Sequence, residues 1–137
     1  MTGRAARLIL AVLLASGADR ARAGDGLYGT WHDGYGRMQV TPHDIRFGKS
    51  LVYQVVPAGP FGTGTLFRIT KVNRAKDPLG CGVTKRLGFI AIKPLPADPA
   101  LPGTEAIRVY FHSGPTAPTE PGIENDLALC SVRPYRR

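Results

Sequence analysis

The sequence predicts an all-β protein, an antiparallel up-and-down barrel or sandwich of about seven to eight strands with one disulfide. Three observations carry that expectation. Apolar residues recur at every second position in short segments, the period of a half-buried strand. Turn-forming residues separate those segments at the spacing of a meander. Twelve prolines and 17 glycines leave no stretch with helical spacing long enough for an ordinary helix.

The chain is expected to open on a leader. Arg4 and Arg7 form a basic head, Leu8 to Ala15 is an uncharged apolar run, and Ala21-Arg22-Ala23 is a small-x-small cleavage pattern. The run is shorter than the roughly 20 residues that span a bilayer. Residues 1–23 are therefore expected to be a cleaved signal peptide, with Ser16-Gly17-Ala18 offering an earlier cut after Ala18. Residues 24–137 would then form one domain, periplasmic or secreted, with no transmembrane segment.

The elements follow in order. Trp31 enters the first strand, and His32-Asp33-Gly34-Tyr35-Gly36 turns it, Asp-Gly being a hairpin signal. Met38 and Val40 alternate with Arg37, Gln39 and Thr41 in the second. Pro42-His43-Asp44 leads into Ile45-Arg46-Phe47, and Leu51 to Val56 sets Leu51, Tyr53 and Val55 on one face. Pro57 to Gly64 reads as a loop, since its prolines and glycines carry no periodicity. Thr65 to Val72 is the next strand, Asn73 to Gly82 a connection holding Cys81, and Thr84 to Lys93 the longest strand. Proline-rich Pro94 to Gly103 follows. From Glu105 to Ser113, Ile107, Val109 and Phe111 face one way, and Arg108, Tyr110 and His112 the other. Gly114 to Asp126 reads as a long loop, and Leu127 to Val132 as the last strand, carrying Cys130. The short early connections and sequential hairpins favour the barrel.

Losing the leader removes four of the 18 Lys+Arg and one of the ten Asp+Glu, which leaves 114 residues with a net charge of +5. Such a domain favours anionic partners such as phospholipid head groups, and an exported chain is a poor reader of nucleic acid. Cys81 and Cys130 have one intramolecular pairing in an oxidising compartment, so a disulfide is expected. Closing a loop of that length restricts the unfolded chain by about 4 kcal/mol on the loop-entropy account.

Gly29-Thr30-Trp31 at the entrance to the first strand, with Arg133 or Arg136 near the end of the last, resembles the lipocalin-like (calycin) barrels. In that family a Gly-x-Trp opens the first strand, and an arginine from near the final strand covers the indole. The resemblance implies a small exported barrel with an internal pocket for an apolar or amphipathic ligand.

Residues that could line such a pocket are Trp31, Met38, Tyr53, Phe67, Phe89, Val109 and Phe111. A second set, Arg37, Arg46, Arg108, Tyr110 and His112 with Phe61 at a loop tip, would form a surface for an anionic partner. Nothing in the spacing of His32, His43 and His112 forces a metal site, and no cofactor is expected. Ser50, Ser113 and Ser131 stand outside any Gly-x-Ser-x-Gly turn, and the acids fall mainly in turns. The functional expectation is a non-enzymatic exported binding protein for a small apolar or anionic amphipathic molecule. Its alternative is a module for an exported protein, such as an inhibitor of an exported hydrolase, acting through Pro57–Gly64 or Pro94–Gly103.

Overall fold

A computed structural model describes residues 26–74, 78–81 and 86–137. The expected leader and both cleavage positions lie outside the described residues, as do Thr84 and Lys85 of the expected long strand. Among the described residues eight strands follow in order: β1 Gly29–His32, β2 Arg37–Val40, β3 Asp44–Phe47, β4 Leu51–Phe61, β5 Gly64–Val72, β6 Phe89–Pro94, β7 Ala106–His112 and β8 Leu129–Arg136. Each pairs antiparallel with the next, and β8 returns to β1 through His32 and Arg136. The result is a closed up-and-down barrel. Closure removes the exposed edges that an open sheet would leave.

The alternation read from the sequence sets the wall. Met38, Ile45, Tyr53, Phe67, Val109 and Phe111 each expose 0% of their surface and share one interior cluster. Side chains from five strands thus meet inside, as a barrel of this size allows. Rings interlock there, with Phe47 edge-on to Tyr53 at 5.8 Å and tilted against Phe111 at 5.6 Å.

Two loop expectations are corrected. Pro57 to Phe61 continues β4, and only residues 62–63 turn the chain. β3 pairs with β4 only from Leu51 to Gln54, so beyond it β4 has β5 alone as a strand partner. Proline lacks an N–H to donate and is tolerated on such an edge. The pairing shifts register between Pro57 and Pro60, where Gly59 takes φ 118°. The Gly114 to Asp126 segment likewise contains a short 3-10 helix, Glu120–Asn125.

That segment is a strap across the outside of the barrel. Its Ile123, 2% exposed, packs with Phe61, Leu66, Phe89, Ala91 and Tyr110 in a second apolar cluster. Glu120 pairs with Lys93 on β6, and Asp126 with His112 on β7. The strap is thereby pinned at two points with an apolar anchor between them. Cys81 and Cys130 form the expected disulfide, with Cα atoms 4.8 Å apart, and it ties the β5–β6 connection to β8.

Candidate functional site

Six of the seven expected pocket residues converge inside the barrel, but they fill it. Trp31 is 1% exposed and the others 0%, so no water-sized gap opens onto those other five. Phe89 is placed differently. It points outward into the cluster beneath the strap, because β6 runs Phe-Ile-Ala-Ile and is apolar on both faces.

Open space lies instead at the end of the barrel around Trp31. A recess of about 240 Å³ is bounded by Leu27, Trp31, Pro94, Leu95, Ala97 and Ile107, with Thr104 and Glu105 also on its lining. Trp31 Nε1 donates to the Leu27 carbonyl at 3.0 Å, which satisfies the one polar atom of a buried indole. The Arg137 guanidinium stands 4.0 Å over the indole ring. It also donates to the Tyr28 carbonyl at 2.8 Å and the Gly26 carbonyl at 2.7 Å, and pairs with Glu105 at 2.7 Å. One side chain therefore ties the segment before β1 to the Trp31 face and the β6–β7 loop.

This corrects the arginine expected from the resemblance. Arg133 shares the parity of Tyr135 and Arg137, but lies about four residues up the strand, with its guanidinium 5.7 Å over Phe111. Arg136 pairs with His32 and has the opposite parity. Only Arg137 combines the inward parity with the height of Trp31.

The expected surface set divides. Arg37 and Arg46 stand exposed on β2 and β3, while Arg108, Tyr110 and His112 belong to β7. The expectation that Tyr110, His112 and Phe61 face a partner is corrected: the strap covers all three, at 1–3% exposure. The strap escaped sequence reading because a lone Ile123 among turn residues carries no period.

Behind the strap, the Gly114 N–H donates to His112 Nδ1 at 3.1 Å, so the ring carries its proton on Nε2 and donates to Asp126 Oδ2 at 2.7 Å. Both ring nitrogens are thus engaged by the protein, and the pair holds the strap. The Ala128 N–H bonded to Asp126 Oδ1, and then the His112 bond, hold the Asp126 carboxyl below its ordinary value of 3.8. A depressed folded value stabilises the fold above the unfolded value, and that contribution is lost as pH falls through the folded one. Asp126→Asn should therefore lower the melting temperature at pH 6 and lose that deficit progressively below pH 3.8; a deficit that stays constant as pH falls below 3.8 would refute the assignment. Lys93 behaves oppositely, raised chiefly by its bond to Glu120, and its stabilisation fades only as pH climbs above 10.5.

The three histidines lie apart, with His32 at the end of β1, His43 in the β2–β3 turn and His112 under the strap. No group of three His, Cys, Asp or Glu among the described residues could hold a metal ion. No described helix is long and apolar enough to cross a membrane. Compared with known proteins, the chain matches no family model, no curated protein and no solved structure at a significant level.

Proposed function

We propose that this is a lipocalin-like, exported, non-enzymatic binding protein that takes a small apolar or amphipathic molecule at the mouth of its barrel. The observation that carries the reading is the recess beside Trp31, concave and largely apolar, next to an interior with no room of its own. At about 240 Å³ it is smaller than the roughly 300–1,000 Å³ of sites for drug-sized ligands. A short acyl or aromatic group fits that scale. Its apolar surface would bury against Leu27, Leu95 and Ile107 at about 25 cal/mol per Å², and its polar end would meet Thr104 and the Glu105–Arg137 pair. The Gly29, Trp31 and Arg137 arrangement supports the lipocalin-like kinship.

Trp31 is the only tryptophan, so its emission reports on this recess. Titration with decanoate, octanol and an anilinonaphthalene sulfonate dye is expected to give a saturable change with at least one of them. Ala97→Phe, which fills the recess from an exposed position, should weaken that response about tenfold or more. An unresponsive Trp31, or an Ala97→Phe variant that binds like the parent protein, would rule the reading out.

One observation favours a second reading. Leu101 stands exposed in the β6–β7 loop, which the Asp98 carboxylate and carbonyl brace through the N–H groups of Ala100 and Leu101. A braced loop with an exposed apolar residue suits an inhibitor of an exported hydrolase. Inhibition of purified secreted proteases or glycosidases, abolished by Leu101→Asp, would favour it over the small-molecule site.

A further inference from the structure

A second recess lies on the outer wall, where β2, β3 and the start of β4 meet. Gln39 and Arg46 are direct cross-strand partners, so their side chains share the outward face. Arg37 precedes Gln39 by two residues and shares that face as well. The Gly48 N–H donates to the Arg37 carbonyl at 2.8 Å, which brings the β3–β4 turn back against β2. Gly48 takes φ 61° to make that turn, a conformation glycine adopts without strain. Lys49 is carried with it.

These residues enclose about 220 Å³ over Leu51 and Val52. Three positive charges line the space and no carboxylate does. Asp44 meets Arg46 at 3.2 Å from the side, an exposed pair that leaves Arg46 Nη1 unpartnered among the described residues. Arg37 and Lys49 have no ion pair or side-chain hydrogen bond among the described residues. Arg74 adds a fourth cation nearby by donating to Ser50 Oγ at 2.5 Å, on the same turn.

Concentrating like charges in a concavity costs repulsion unless an anion occupies it. Two guanidinium groups offer planar forks that engage oxyanions in pairs, and a lysine adds a compact charge. The Gln39 amide can donate to one oxygen more. We propose that this recess binds a phosphate-type oxyanion, presented either as free phosphate or as the phosphate of an anionic lipid headgroup. The site is independent of the barrel-end recess. It sits beside the β3–β4 turn, whereas the Trp31 recess is bounded by the β6–β7 loop at the opposite end of the strands.

The test uses inorganic phosphate, followed by amide chemical shifts, and flotation with phosphatidylglycerol or phosphatidylcholine vesicles. The double variant Arg37→Gln with Lys49→Gln is compared with Arg68→Gln with Lys71→Gln, which removes the same charge from exposed positions on β5. Saturable phosphate binding centred on Arg37, Gln39 and Lys49 supports a soluble source. Flotation with phosphatidylglycerol alone supports the headgroup. In either case the recess variant should lose at least tenfold in affinity and the β5 variant less than twofold. Absence of both kinds of binding overturns the proposal, and so does an equal loss in the two variants, which would report net charge and not a site. All four positions are exposed, and unchanged circular dichroism verifies folding. Should the double variant misfold, Lys49→Glu alone carries the same prediction.

Discussion

Phe111→Ala is expected to destabilise the protein by about 3–5 kcal/mol, the cost of emptying a large aromatic site that cannot collapse. Phe111 exposes 0% of its surface, lies between Ile90 and Ser131 in register, and packs on Phe47 at 5.6 Å. Neighbours hydrogen-bonded into a closed barrel cannot move in to fill the vacancy, which places the cost at the upper end of the range for core truncations. A domain of this size has about 5–15 kcal/mol in total, so urea unfolding should show a large drop in midpoint. The melting temperature should fall by more than about 10 °C. The variant should also gain a dry interior cavity able to take benzene or xenon. A loss below about 1 kcal/mol would mean that the interior already contains slack around Phe111, and would return the ligand site to the middle of the barrel.

That result bears on function because the seven residues expected to line a ligand pocket are mostly a packed core. Period-two alternation says which side chains face inward, and it did so correctly for Met38, Tyr53, Phe67, Val109 and Phe111. It does not say whether the enclosed volume exceeds the side chains that fill it. That depends on strand number and stagger, and pairwise register is a property of the folded barrel. Phe89 shows a second limit. Phe89, Ile90, Ala91 and Ile92 carry no alternation, so parity had to come from pairing, where Phe89 stands opposite His112 and Ile90 opposite Phe111.

The outward face was harder to read for a different reason. Arg108, Tyr110 and His112 do alternate outward, yet outward does not mean wet once a strap crosses the wall. The signs of that strap were dispersed: an acid 14 residues beyond His112, another 27 beyond Lys93, and one isoleucine. Local pattern reading weighs neighbours and passes over such long-range pairs. Lys49 was missed similarly, since only the folding back of the β3–β4 turn brings it beside Arg37. Arg137 was missed by one strand position, where parity decides between adjacent arginines.

Replacing both cysteines, Cys81→Ala with Cys130→Ala, is expected to cost about 2–5 kcal/mol. The bridge closes a separation of 49 residues and joins the β5–β6 connection to β8. Removing both thiols avoids a free sulfhydryl and isolates the cross-link. The loss should be uneven across the molecule. Ser113 lies at this corner, its Oγ accepting the Cys81 N–H at 3.3 Å and approaching Cys130 Sγ at 2.7 Å. The Ser113 N–H donates to the Ala128 carbonyl at 2.8 Å, which closes the base of the strap. Losing the bridge therefore loosens the base of the strap and, through it, the seat of the His112–Asp126 pair. Amide exchange at Ser113, Gly114 and Ala128 should accelerate more than exchange at Met38 or Ile45, because local opening needs less free energy than unfolding the barrel. Equal acceleration everywhere would mean that the disulfide acts only through the unfolded chain, and that the strap keeps its place on Ile123, Lys93 and His112 without it.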